Sequence, residues 1–172
     1  MPVRGFSLIE LLITLIIVSI LAVIVVPNMS DLIIQERLRG ALIHLKQELA
    51  FARSEAVKRN KPLFISSLAG DHWCVGISLA PNCDCTLDDP ETASACTLPI
   101  KGGNILRRLS STDYSDVRMT ALKSPIIFDS VRGTTKNNGT FTLQVEHFSG
   151  NVVLSALGRV RACGNIHSLA DC

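Results

Sequence analysis

Phe6-Ser7-Leu8-Ile9-Glu10-Leu11-Leu12 opens the run FSLIELLITLIIVSILAVIVV, which covers 21 residues to Val26 and is interrupted only by Ser7, Glu10, Thr14 and Ser19. An apolar segment of about 20 residues spans the hydrocarbon core of a bilayer. A secretory signal has a shorter apolar part and ends in a small-x-small cleavage site, whereas this run reaches Pro27-Asn28. Cleavage behind it is not expected. The single Arg4 ahead of it favours a cytoplasmic position for this end, so the remainder of the chain is expected to be exported. Six cysteines agree with that placement, because an even count in an exported domain points to disulfides.

Beyond the run, Ile34, Leu38, Ala41, Leu45, Leu49, Ala52 and Ala56 recur at intervals of three and four residues, the signature of an amphipathic helix whose stripe packs on a sheet. Glu55 and Arg59 add an i,i+4 pair on its polar side. Asn60-Lys61-Pro62 ends it, since the residue before proline avoids the helical region. One helix is therefore expected from Phe6 to Arg59, on the order of 80 Å long at 1.5 Å per residue. Pro27 is expected to kink or locally melt it.

After Pro62 the pattern changes to short β-type runs at Leu63–Leu68, Trp73–Leu79, Ile126–Ser130, Thr140–Val145 and Asn151–Leu154, with Arg159–Ala162 as a last strand. Turn signals stand at Ala69-Gly70-Asp71, Asn137-Asn138-Gly139 and Ser149-Gly150-Asn151. Short strands joined by short turns imply an antiparallel sheet, hence an α+β chain. Residues 80–103, rich in Asp, Pro, Ser, Thr, Cys and Gly, read as a long disulfide-tied loop.

At 172 residues the chain is sized for one domain with an appendage. Hydrophobic residues make up 47% and charged ones 19%, which excludes a disordered tail or a supercharged nucleic-acid coat. The net charge of +2 is unevenly placed. Residues 1–100 carry 8 Lys/Arg against 10 Asp/Glu, and residues 101–172 carry 9 against 5. An anionic partner should meet the C-terminal part.

Glu10 inside the apolar run is costly, by roughly 2.5–3.5 kcal/mol on insertion scales. Without further context it reads as a carboxylate near the interface. Its surroundings, Arg4-Gly5-Phe6-Ser7-Leu8-Ile9-Glu10, resemble the class III signal of type IV pilins and type II secretion pseudopilins. The resemblance implies that a prepilin peptidase cuts between Gly5 and Phe6 and methylates the new N-terminus. It also implies that Glu10 pairs with a neighbouring subunit's N-terminal amine in the filament. Implied, too, are a leader at 1–5, a transmembrane and filament-core helix at 6–27, an amphipathic helix at 28–61 and a β-rich globular domain at 62–172. The fold would be pilin-like: a long N-terminal helix packed on an antiparallel sheet. The location would be the bacterial inner membrane with the globular domain in the periplasm, then the filament at the cell surface. The partners would be the major pilin and other minor pilins or pseudopilins.

Within that class the chain resembles the GspH/FimT family of minor pseudopilins through three stretches. These are Leu49-Ala50-Phe51-Ala52-Arg53-Ser54-Glu55-Ala56-Val57, Ile127-Phe128-Asp129 through Gly133, and Gly158-Arg159-Val160-Arg161. The match runs from Gly5 to about Cys163 and departs at residues 80–103. Residues two apart in an extended segment face the same way, so Arg159 and Arg161 would present two guanidiniums side by side, suited to neighbouring phosphates. Gly158 would let the backbone approach closely. In DNA-uptake members the matching motif binds DNA, and the resemblance carries that role to Arg159 and Arg161. Arg132 and Lys136 would support it, with Lys123 nearby. Contacts would be to the phosphates of double-stranded DNA, without sequence preference and weakened by salt. The alternative for the same arginines is a solvated edge strand of a purely structural subunit, one that primes a pilus or a secretion pseudopilus.

Cys163 and Cys172 would close a C-terminal loop over 163–172. Cys83 and Cys85 are too close to pair with each other and would reach Cys74 and Cys96, in an order the sequence leaves open. Zinc is disfavoured at these four cysteines, whose spacing is not that of a finger or ribbon. No metal ligand set, cofactor motif or catalytic residue is identified. His44, His72, His147 and His167 are isolated, and Lys101-Gly102-Gly103 lacks the rest of a nucleotide loop.

Overall fold

A computed structural model describes residues 7–120, 125–166 and 169–172, with residues 24–28 described by their backbone alone. The expected leader, the cut between Gly5 and Phe6, and Lys123 lie outside the described residues. The chain divides into two units, Met1–Glu36 and Arg37–Cys172.

The first helix, α1 (Leu8–Arg59), is 52 residues long and contributes to both units. In the first unit every described side chain from Ser7 to Val23 is exposed, Leu8 by 79% and Val23 by 76%. The hydroxyls in this apolar stretch are satisfied locally. Thr14 Oγ1 donates to the Leu11 carbonyl and Ser19 Oγ to that of Ile16, each at 2.8 Å, so neither needs an outside partner. Among the described residues no helix is long and apolar enough to cross a membrane. The helix is continuous through Pro27, so local melting is not what happens there.

In the second unit α1 presents Leu38, Ala41, Leu42, Leu45, Leu49, Ala52 and Ala56, all fully buried, at the spacing of one helical face. The helix stops where Asn60 turns to a φ of +51° and the Lys61 N–H closes on the Ala56 carbonyl at 3.2 Å, immediately before Pro62. Glu55 is buried rather than on the polar side. Its carboxylate accepts from Arg59 at 2.6 Å and Lys58 at 3.1 Å, so two cations compensate its desolvation.

Eleven strands follow among the described residues: β1 (Leu63–Leu68), β2 (Cys74–Ser78), β3 (Thr97–Ile100), β4 (Gly103–Leu106), β5 (Arg108–Ser110), β6 (Arg118–Thr120), β7 (Ile126–Phe128), β8 (Thr135–Lys136), β9 (Gly139–Val145), β10 (Phe148–Leu154) and β11 (Val160–Gly164). They form a five-stranded sheet ordered β5-β2-β1-β7-β8, a four-stranded sheet ordered β11-β10-β9-β6, and the hairpin β3-β4. Every strand pair is antiparallel. The core gathers Leu63, Ile65, Ile126 and Phe128 from the first sheet and Phe141, Leu143, Val152 and Leu154 from the second. Trp73 is fully buried, and its indole N–H donates to the Val117 carbonyl at 2.8 Å.

Further expectations change. Residues 80–103 are not loop throughout, because Thr97–Ile100 pairs with Gly103–Leu106 as a hairpin. Ser149-Gly150-Asn151 is not a turn but lies within β10. There Gly150 passes so close to α1 that an added Cβ would stand 2.3 Å from Leu42 Cδ1. The turn falls instead at Glu146-His147, between the paired Val145 and Phe148, with Glu146 at a φ of +50°. Finally, the last strand starts at Val160 rather than Arg159 and runs on to Gly164.

Candidate functional site

Two turns and one helix build the site. The turn between β7 and β8 is organised by Asp129, whose Oδ1 accepts the N–H groups of Arg132 at 2.9 Å and Val131 at 3.0 Å. Those bonds, that of Arg132 first, hold the Asp129 carboxyl below its usual range. The turn closes through Gly133, at a φ of +61°. Between β10 and β11, Ser155 plays the matching part. Its Oγ accepts the Arg159 N–H at 3.1 Å, its own N–H reaches the Arg159 carbonyl at 3.0 Å, and Gly158 turns at a φ of +76°.

The turns are stacked. A Cβ on Gly158 would stand 2.0 Å from the Gly133 carbonyl oxygen, so only glycine fits. Thr135 locks the pair by donating its N–H to the Ala156 carbonyl at 2.9 Å and its hydroxyl to that of Ser155 at 2.8 Å. From α1, Arg53 Nε donates to the same Gly133 carbonyl at 3.1 Å. The three stretches that carried the resemblance thus converge on one joint.

Beside the joint opens a groove of about 700 Å³. Ala50, Val57 and Val160 supply its apolar lining, and Arg53, Lys58, Arg132 and Arg159 its charged one. No carboxylate lines it. Lys58 is partly neutralised by Glu55, whose carboxyl is held low chiefly by its hydrogen bond from Arg59. Arg159 and Arg161 are both exposed with half-buried Val160 between them, the alternation of an extended segment. Arg161 lies opposite Val153 of β10 and does not line the groove. Lys136 is exposed on β8 opposite Ile127, also outside the groove. Arg132 and Arg159 are therefore brought together, while Arg161 and Lys136 stand outside. The sequence reading did not single out Arg53 or Val57. The available signal was a glycine adjoining an arginine in each turn, Arg132-Gly133 and Gly158-Arg159, which two separate turns disguise.

The disulfides are Cys74–Cys85, Cys83–Cys96 and Cys163–Cys172. Among the described residues no group of three or more His, Cys, Asp or Glu is placed to hold a metal ion. His44 Nδ1 meets the Tyr114 hydroxyl at 3.1 Å.

Comparison with known proteins fits this architecture. The sequence pattern of a family described as Type II transport protein GspH matches residues 43–158, and the prokaryotic N-terminal methylation motif matches residues 1–26. The crystal structure of the type IV minor pilin FimU from Pseudomonas aeruginosa superposes with a TM-score of 0.52 at 18% identity, covering 73% of this chain and 87% of that one. A second crystal form of FimU gives 0.46 at 18% identity, over 73% and 91%. A search of curated proteins finds no match.

Proposed function

The chain belongs to the GspH family of type IV minor pilins and pseudopilins, and on that premise we propose that it is a filament subunit whose globular domain contacts DNA. A membrane-held stage before assembly follows from the family and from the methylation motif. In this reading the leader at 1–5 is removed between Gly5 and Phe6, and Glu10 neutralises a neighbour's N-terminal amine. The stretch Leu8–Val23, exposed all round, packs among the helices of other subunits. The work of the protein is assembly and contact, not turnover.

The observation that carries the DNA reading is that Arg132 and Arg159, 27 residues apart in sequence, line one groove. Arg161, two residues on, is also exposed. Guanidiniums so grouped suit phosphate oxygens. Lys136 extends the charge along β8. Half-buried Phe148 and Tyr114 leave little aromatic surface for stacking, so the contact is with the backbone of duplex DNA.

The test is a titration of the full chain in detergent with duplex DNA at low and physiological salt, with the variant Arg159→Ala/Arg161→Ala alongside. Salt-sensitive binding that falls at least tenfold in the variant is the expected outcome. Binding that is absent, or indifferent to the two arginines, leaves a purely structural subunit that primes a pilus or a secretion pseudopilus.

A further inference from the structure

Two arrangements of Cys74, Cys83, Cys85 and Cys96 avoid a bond between the near neighbours Cys83 and Cys85. The folded chain has the interleaved one, Cys74–Cys85 with Cys83–Cys96, at sequence separations of 11 and 13. The swapped one, Cys74–Cys83 with Cys85–Cys96, closes two loops side by side at separations of 9 and 11. Loop closure grows less favourable with the 3/2 power of loop length, so the unfolded chain prefers the swapped pairing by about 1.7-fold. An oxidant that meets the cysteines in chain order also joins Cys74 to Cys83 first.

The interleaved pairing gains its advantage only in the folded sheet. The Asp84 N–H donates to the Ser94 carbonyl at 2.7 Å, the Arg107 N–H to the Cys96 carbonyl at 2.8 Å and the Arg108 guanidinium to the Cys85 carbonyl at 3.3 Å, which seats the loop against β2. Over Gly76 of β2, Cys96 Sγ and Cys85 Cβ take the space of the missing side chain, 2.1 and 3.0 Å from where its Cβ would stand. The contacts at Gly76 and Arg108 join segments that meet only when β2 and β5 have paired. A bond made before that has to be exchanged.

We propose that this chain is a substrate for thiol–disulfide exchange and that the catalyst, a thiolate, enters at Cys83. Cys74, Cys85 and Cys96 are 2%, 4% and 0% exposed, whereas Cys83 is half-buried and lines an opening of about 340 Å³ between Ser67-Leu68 of β1 and residues 82–86. From the swapped pairing the incoming thiolate attacks Cys83 Sγ and breaks its bond to Cys74, which leaves as a thiolate. Cys74 then attacks Cys85 Sγ and releases Cys96. Cys96 attacks Cys83 Sγ, completes the interleaved pairing and returns the catalyst's thiolate. Three S–S bonds break and three form, so no oxidant or reductant is consumed. The reverse route, from the folded chain, starts at the same sulfur, the one that the opening leaves within reach.

The experiment oxidises the reduced full-length chain in denaturant and then dilutes it into detergent with or without reduced glutathione. Cleavage before aspartate parts Cys83 from Cys85 at Asp84. The swapped pairing then leaves peptide 71–83 closed on itself, while the interleaved pairing ties it to peptides 84–87 and 89–112. After oxidation the swapped form is expected in at least the amount of the interleaved one, and it should persist without thiol and fall at least tenfold with glutathione. A two-cysteine disulfide isomerase at about a hundredth of the glutathione concentration forms the second arm. Repair at a matching rate assigns the catalyst to an enzyme, and slower repair assigns it to a small thiol. Entry is read on the folded chain, where limiting glutathione followed by acid quenching should leave glutathione on Cys83 and a free thiol at Cys96. Interleaved pairing formed directly in denaturant, repair without thiol, a swapped form that glutathione leaves unchanged, or first attachment at Cys74, Cys85 or Cys96 would overturn the inference. None of these readouts involves Arg132, Arg159 or Arg161, so the inference stands or falls apart from the DNA reading.

Discussion

The joint at Gly133 and Gly158 and the loop at residues 80–96 reach order by opposite means. In the joint, two backbones touch, and one carbonyl takes a guanidinium donor from α1, with no covalent tie. In the loop little apolar surface is available, and the cystines replace a core: Cys74, Cys85 and Cys96 are buried together with Cys83 packed against them. Gly76 of β2 makes room, since a Cβ there would stand 2.1 Å from Cys96 Sγ. A backbone joint tolerates almost no added atom, whereas a cross-linked loop is held chiefly at its links.

The largest expected effect is at the joint. Gly158→Ala sets a Cβ against the Gly133 carbonyl in a left-handed conformation and should cost about 3–4 kcal/mol, read by denaturant unfolding. A loss below about 1 kcal/mol would mean that the turns separate easily and the contrast with the loop is wrong. Cutting one link of the loop comes next. Replacing Cys83 and Cys96 by Ser should cost about 2–3 kcal/mol by the entropy of the closed loop.

Glu55 sharpens the comparison because Arg59, which it holds at 2.6 Å, also donates to the Pro99 carbonyl of β3 at 2.9 Å, where the looped segment ends. The folded-state carboxyl is held below its ordinary value, first by Arg59. Its contribution is therefore present above the unfolded pKa of about 4.3 and is lost as pH falls through the lower folded value. Glu55→Gln should cost about 1–2 kcal/mol near pH 7, and unfolding curves of variant and parent should converge in acid. A difference that persists unchanged at low pH would assign the effect to packing. The smallest change is expected from Arg161→Ala, exposed on β11, which should shift stability by no more than about 0.5 kcal/mol while weakening DNA binding.

The parts legible in advance were those with local causes. The stripe from Leu38 to Ala56 reads from its period, and Asn60-Lys61-Pro62 stops the helix at Arg59. β1 falls on Leu63–Leu68 as its β-branched and apolar residues suggest. Short strands such as Arg108–Ser110 and Arg118–Thr120 carried no such signal, because their hydrogen bonds come from β2 and β9, far along the chain. Gly150 misled for a related reason. Glycine usually marks a turn, and here it is needed for the clearance under Leu42.

By itself the sequence determined the apolar helix, its amphipathic continuation, the antiparallel β class and the families of signal and motif, because periodicity and short strings act over a few residues. Tertiary structure alone decided how Cys74, Cys83, Cys85 and Cys96 pair, that the strands divide into three sheets, and that Arg53, Arg132 and Arg159 share a groove. These depend on contacts between segments tens of residues apart. Such contacts are selected by packing and backbone pairing in the folded chain, and no local preference encodes them.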